Sequence, residues 1–218
     1  MRLELAERLC CPSAHAPTPL ILVRQLAVER ELITGMLGCP VCQLEARIAN
    51  GDVHFGPMVA VASESESMGA APVAAVPDID RVMALLGLAE AGGAVLLTGR
   101  YAALGPRLAV RAEVSVVVMG PLRDPPTPNA DGAGVSVLYG PLDRLPFTDG
   151  TFRGVALDVA LPLGLVTEAV RATSLGGRVL APVAVAPPVG VKELARDDQE
   201  WVAAREHSRP MVELTRRQ

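Results

Sequence analysis

Two cysteine-centred turns in the first fifth of the chain constrain its fold most: Cys11-Pro12-Ser13-Ala14-His15 and Cys39-Pro40-Val41-Cys42. The first has C-x3-H spacing and the second C-x2-C spacing, and each sets two soft or borderline ligands on a tight turn. Together Cys11, His15, Cys39 and Cys42 supply four ligands, the number and type of a closed, tetrahedral, structural zinc site. Such a site has no open position, so it holds a fold together rather than performing chemistry. Cys10 and His54 are the alternatives to His15 as fourth ligand. Four cysteines could instead form two disulfides, but the Cys-Pro-x-Cys turn and the reading of the chain as cytoplasmic favour metal.

That reading rests on the rest of the sequence. The N-terminus Met1-Arg2-Leu3-Glu4-Leu5-Ala6-Glu7-Arg8 alternates charged with apolar residues, whereas a secretory signal has an unbroken apolar core. The most apolar stretch, Gly154 to Val170, is interrupted by Asp158, Pro162 and Glu168, so no membrane span is expected. The net charge is −4; residues 1–57 hold five arginines against six acids, and residues 78–218 hold fifteen basic against sixteen acidic residues. Nucleic acid as a partner is therefore not supported by charge. With aromatics at 3% of the chain, the core must be aliphatic.

Periodicity divides the chain into a metal-bound module at 1–56, a linker at 57–77 rich in Ala, Ser, Glu, Pro and Gly, and an α/β domain at 78–218. In the first part a short helix is expected over residues 3–9, a buried strand over Leu20–Val23 and a helix over Gln25–Leu37. A hairpin follows around Asn50-Gly51. In the last part Asp78 caps a helix ended by Gly87. Strands are expected at Ala94–Leu97, Val114–Met119, Val135–Tyr139, Gly154–Leu157 and Arg178–Val185, with a last one at Met211–Thr215. Between them lie a helix over Tyr101–Ala112 damaged by Gly105-Pro106, a loop over 120–134, a helix over Leu163–Ser174, a break at Gly176-Gly177, and a charged helix over Glu193–Arg205 packed by Trp201. Short buried strands alternating with helices imply a mostly parallel sheet with helices on both faces.

Three stretches carry a resemblance. Cys39-Pro40-Val41-Cys42 through Asn50-Gly51-Asp52-Val53-His54-Phe55-Gly56 resembles the zinc ribbon that accompanies bacterial and archaeal methyltransferases. Gly140-Pro141-Leu142-Asp143-Arg144-Leu145-Pro146-Phe147-Thr148-Asp149-Gly150-Thr151-Phe152 and Leu175-Gly176-Gly177-Arg178-Val179-Leu180 resemble class I S-adenosylmethionine-dependent methyltransferases. The resemblance implies a Rossmann-like domain, with Asp143 near the adenine and Gly99 the remnant of the glycine-rich cofactor loop. Asp143 and Asp149 equally suit plain turn capping.

The remainder of that loop departs from the family. Val95-Leu96-Leu97-Thr98-Gly99-Arg100-Tyr101-Ala102-Ala103 keeps one glycine, has no carboxylate at the strand end, and adds bulk at Arg100 and Tyr101. After the second strand the chain reads Val118-Met119-Gly120-Pro121, with Asp124 the nearest acid. Each hydrogen bond to a charged group is worth about 1.5–3 kcal/mol, so losing two or three weakens cofactor binding by roughly two to six orders of magnitude. The expectation is a degenerate, non-catalytic relative, a pseudoenzyme that binds another protein or a multi-subunit assembly. The alternative is an active methyltransferase acting on RNA, protein or a small molecule. Trp201, His207 and the charged residues from Lys192 to Glu206 are read as structural or solvated.

Overall fold

The computed structural model describes residues 1–56, 76–119, 134–140, 144–158 and 164–206. Nearly all of the 57–77 linker, most of the 120–134 loop with Asp124, Asp143, His207 and the strand expected at Met211–Thr215 lie outside the described residues.

The chain opens with a short helix, α1 (Leu3–Ala6), which buries Leu5 and Ala6. Two antiparallel hairpins follow: β1 (Ile21–Val28) with β2 (Glu31–Gly38), and β3 (Glu45–Ala49) with β4 (Asp52–Phe55). The second turns at Asn50-Gly51 as expected, with both residues in the left-handed region at φ 53° and 83°.

The first hairpin replaces the helix expected over Gln25–Leu37. Its turn, Glu29-Arg30, adopts the same left-handed geometry (φ 46° and 69°) without a glycine to signal it. Gln25 in β1 and Ile33 in β2 are extra residues in the ladder, because Arg24 pairs with Gly35, Leu26 with Thr34 and Ala27 with Leu32. These bulges break the strict alternation of a strand and leave apolar spacings that imitate a helical stripe. The strand expected to be buried from Leu20 is also corrected: Leu20 is buried, but β1 is an edge strand exposed along most of its length.

The α/β part begins with α2 (Ile79–Leu86). Asp78 accepts the N–H groups of Asp80 (2.7 Å) and Arg81 (3.0 Å), and Gly87 ends the helix in the left-handed conformation. Then come β5 (Ala94–Thr98), a 3-10 turn at Gly99–Leu104, α3 (Gly105–Arg111), β6 (Ser115–Met119), β7 (Val135–Tyr139), β8 (Phe152–Ala156), α4 (Leu165–Ala172) and β9 (Thr173–Pro182). Pro106 lies in the first turn of α3, where its missing N–H costs no intrahelical bond, so it starts that helix rather than damaging one. Gly176-Gly177 lies within β9 and does not precede it.

The charged helix expected over Glu193–Arg205 is a hairpin, β10 (Val191–Arg196) and β11 (Glu200–Arg205). Asp197 reverses the chain by accepting the N–H groups of Gln199 and Glu200, each at 2.8 Å. Trp201 is fully buried in β11, and its indole N–H donates to Val185 O at 2.6 Å.

Among the described residues eleven strands form one sheet in the order β1-β2-β3-β4-β7-β6-β5-β8-β9-β11-β10. The centre, from β4 to β9, is parallel, and antiparallel hairpins extend both ends. α2 and α3 cover one face over β5, β6 and β8, and α4 with α1 lies on the other. The strands of β5 and β6 are buried along their whole length, which is why they read as unbroken apolar runs. The N-terminal hairpins join this sheet through Val53 beside Leu138 and His54 beside Tyr139. Gly140 permits the junction, since a Cβ there would lie 2.6 Å from Phe55 O. Leu37, Ile48 and Val53 share one core with Val117, Leu138 and Phe147, so the segments on either side of the linker pack as one body of side chains.

Candidate metal centre and the switch point of the sheet

The two cysteine turns are held from separate directions. Cys11 N–H donates to Thr18 O (2.9 Å), closing the loop that carries His15. Cys39 N–H donates to Leu44 O (2.8 Å) and Gln43 N–H to Cys39 O (3.1 Å), with Gln43 left-handed at φ 59°, which curls residues 39–44 into a knuckle between β2 and β3. The turns converge so that the ligand atoms of Cys11, His15, Cys39 and Cys42 all lie within 4.8 Å of one another. Cys11 and Cys42 Sγ are 3.6 Å apart, and His15 Nε2 is 3.4 Å from Cys39 Sγ. A tetrahedral zinc with metal–sulfur bonds of ~2.3 Å spaces its sulfurs ~3.8 Å apart, so the four side chains fit that ion.

His15 Nδ1 lies 2.7 Å from Ala16 O. As a donor to that carbonyl, Nδ1 carries the proton and leaves the Nε2 lone pair directed at the cysteines, the usual outer support of a metal-bound imidazole. The Ser13 hydroxyl, 3.5 Å from Cys42 Sγ, is the largest influence drawing that thiol down to about 6, and the Leu44 N–H adds to it. Burial instead pushes Cys10 and Cys11 up. Cys39 is drawn down too, its burial outweighed by the Cys42 and Val41 N–H groups, and a site with thiolates favoured at two corners suits a divalent cation.

The two alternative ligands stand elsewhere. Cys10 is buried and bonded through its backbone to Pro146 O (2.9 Å), and His54 is stacked on Tyr139 with ring centroids 4.6 Å apart. All four cysteines are free thiols.

The segment preceding the first turn is stitched to the α/β part. Leu9 bridges Phe147, and Thr148 N–H donates to Arg8 O (2.9 Å). Arg171 of α4 clamps the same turn from the other side, donating to Phe147 O (2.7 Å) and Leu145 O (3.1 Å) and pairing with Asp149 (2.8 Å). Asp149 thus anchors an arginine.

A second cluster occupies the point where the strand order reverses. The chain proceeds from β5 outward to β6 and β7, then returns to β8 on the other side of β5. Open α/β sheets bind ligands beyond the carboxyl ends of the strands at such a point. Here Thr98 Oγ1 donates to Ala156 O (3.2 Å) and accepts the Asp158 N–H (2.9 Å), tying the ends of β5 and β8 together. Asp158 Oδ2 accepts the Arg100 N–H at 2.8 Å. Gly99 is left-handed at φ 51°, and a Cβ at that position would run into the Asp158 carboxylate.

Tyr101 turns inward and is buried, its hydroxyl donating to Glu200. Arg100 lies across its ring, 5.1 Å from the centroid, and donates to Glu200 Oε2 at 3.0 Å. Arg81 from the first turn of α2 pairs with Glu200 and with Asp197 (2.7 Å). Burial, followed by the Glu200 carboxylate, pushes the Tyr101 phenol upward, so it remains a neutral donor. Sequence reasoning located Gly99, Arg100 and Tyr101 but missed Asp158, Glu200 and Arg81. An acid directly after the apolar run Gly154–Leu157 was the available signal for Asp158. Glu200 was concealed by the helical reading of its hairpin; it is buried, not solvated.

Among solved structures, the chain is similar to a TehB-like SAM-dependent methyltransferase from Corynebacterium glutamicum, at 16% identity over 59% of this chain and 88% of that one, with a TM-score of 0.39. It is similar to the antibiotic-resistance methyltransferase Kmr at 11% identity, over 55% of this chain and 89% of that one, with a TM-score of 0.40. A third likeness is to the geranyl diphosphate C-methyltransferase from Streptomyces coelicolor, at 17% identity over 47% of this chain, with a TM-score of 0.35; the chain spans 41% of that protein's length. No protein-family model and no curated protein matches the chain.

Proposed function

We propose that the chain is a methyltransferase-like scaffold that does not transfer methyl groups and serves as a protein-binding or assembly subunit in the cytoplasm. In this reading Cys11, His15, Cys39 and Cys42 hold a structural zinc. When bound, the ion supplies a four-point cross-link with no free coordination position. It fixes the loop after Cys11 against the knuckle after Cys39, while Leu9 and Arg8 carry that order to the Leu145–Thr148 turn.

The observation that supports the non-catalytic reading is the contact of Asp158 with Gly99 and Arg100 at the switch point. The Asp158 carboxylate rests against Gly99 and accepts the first N–H of the following turn, a position where a ligand would otherwise meet backbone. Arg100, Tyr101, Glu200 and Arg81 are linked across the same end of the sheet, with the buried Arg100 Nε left without a hydrogen bond. A cofactor approaching Gly99 or the Arg100 N–H would have to displace the Asp158 carboxylate first. Isothermal titration of the chain with S-adenosylmethionine and with S-adenosylhomocysteine should give no saturable heat below about 1 mM. Saturable micromolar binding of either would overturn the reading.

One observation favours a second reading, an active S-adenosylmethionine-dependent methyltransferase. The sheet keeps a reversal of strand order between β5 and β8, the usual place for a ligand in such sheets. Gly99 and Asp143 would then be its cofactor contacts. If so, Asp143→Ala should weaken cofactor binding about tenfold or more, and unchanged binding would exclude that role.

A further inference from the structure

The two edges of the sheet are built differently. β10 carries Lys192, Glu193 and Arg196 among its six residues, and charges of this kind discourage a further strand from pairing. β1 carries one charge, Arg24, and no proline. It also holds Ile21, Val23, Leu26 and Val28, which are 59%, 58%, 50% and 55% exposed.

Their spacing would scatter these four over both faces of a regular strand, and the bulge gathers them onto one. Val23 lies opposite Met36 and Leu26 opposite Thr34, and Met36 and Thr34, two residues apart, share a face. Ile21 shares the face of Val23. The second irregularity, at Ile33, sets Ala27 opposite the buried Leu32 and returns Val28, opposite Glu31, to the outer face. Leu22 packs towards the core with Leu37. Setting aside Gln25, which pairs with no residue of β2, the facing pattern of Ile21–Val23 and Leu26–Val28 reads the same from either end, with its midpoint between Arg24 and Gln25.

A two-fold axis normal to a sheet preserves faces, so the register in which β1 spans its bulge and pairs with its own copy must match this pattern. In the register centred on the bulge, Ile21 meets the partner's Val28, Val23 meets the partner's Leu26, and Leu22 meets the partner's Ala27. Arg24 meets the partner's Gln25. Slipping by one residue in one direction sets Arg24 against the partner's Arg24, and like charges directly opposite are unfavourable. We propose that β1 is a self-association edge, through which a second copy of this chain pairs antiparallel about an axis between Arg24 and Gln25 and continues the sheet. The inference stands whether or not a cofactor binds at the switch point.

Sedimentation velocity on the full chain across a concentration series tests it. The chain should sediment as a reversible dimer, and Leu26→Lys should weaken the dimer about tenfold or more. Gln25→Glu should tighten it, because a carboxylate then stands opposite the partner's Arg24, and added salt should erase that gain. Leu194→Lys on β10 should change nothing. A monomer at every concentration, a dimer indifferent to Leu26→Lys, or one weakened equally by Leu194→Lys would each overturn the proposal. Circular dichroism establishes that each variant is folded. Should Leu26→Lys fail to fold, the Gln25→Glu arm decides: tightening supports this register and no tightening overturns it.

Discussion

Gly99 and Asp158 form a pair in which each residue explains the other. The carboxylate needs a neighbour without a Cβ, and the left-handed backbone needs a residue without one. Gly99→Ala should therefore cost roughly 1–3 kcal/mol for the backbone conformation, and more because Asp158 must move. Urea denaturation measures the cost, and a value below about 0.5 kcal/mol, the scatter of ordinary surface changes, would contradict the packing. Asp52 gives a residue-scale prediction in pH. Burial is the main cause raising it above its usual 3.8, opposed by the Val137 N–H at 2.8 Å and the N-terminal ammonium. The folded chain then holds this proton more tightly than the unfolded chain. The associated stability is present below the unfolded value and is lost as pH rises through the folded one. Asp52→Asn cannot ionise, so its stability relative to the wild type should rise as pH climbs above the usual 3.8 of the unfolded carboxyl. A difference that stays constant with pH would contradict the assignment.

At the scale of elements, α2 owes its start to one side chain. Asp78→Ala should cost about 1 kcal/mol, the usual value of an N-cap, seen as a lower midpoint in chemical denaturation. This helix was legible in the sequence because cap, apolar face and terminal glycine all agree. The parallel strands were legible for a similar reason: β5, β6 and β7 are apolar runs between turn residues. The two terminal hairpins were not. In β1–β2 the signal was broken by bulges and a turn without glycine. In β10–β11 an exposed edge strand precedes a buried one, so charged and apolar residues fall in blocks that resemble an amphipathic helix. The cysteine turns were legible as a set because ligand chemistry restricts residue type and spacing together. The switch-point network was not, since Arg81, Arg100, Asp158 and Glu200 come from four distant segments and no local pattern joins them.

For the whole molecule, the two cysteine turns, which hold zinc on the proposed reading, are a joint rather than an appendage. Zinc removal should loosen the stitch between residues 8–20 and the Leu145–Thr148 turn while leaving β5, β6 and β8 protected. Chelation, or Cys42→Ser, should lower the melting temperature by about 10 °C, corresponding to roughly 3–4 kcal/mol in a chain of this size. Hydrogen exchange should quicken at Cys11 and Cys39, whose amide bonds define the two turns, and at Cys10, whose amide bonds to Pro146 O across the stitch. Uniform loss of protection across the sheet, or no change at these amides, would contradict a metal confined to joining these parts. Among the described residues no helix is long and apolar enough to cross a membrane.

The seam between β4 and β7 has a consequence for synthesis. β1 to β4 contact one another through nearby residues, but β4 ends at Phe55 while its other neighbour ends at Tyr139. At about 5–20 residues per second, the ribosome takes roughly 4–17 s to supply the intervening chain. During that interval β4 is displayed as an open edge, held in register by its own hairpins, by α1 against β2 and, on the proposed reading, by zinc in the cysteine turns. Zinc loading early in translation would then govern the yield of correctly folded chain, so zinc starvation during expression should produce aggregate from newly made protein while sparing protein completed beforehand.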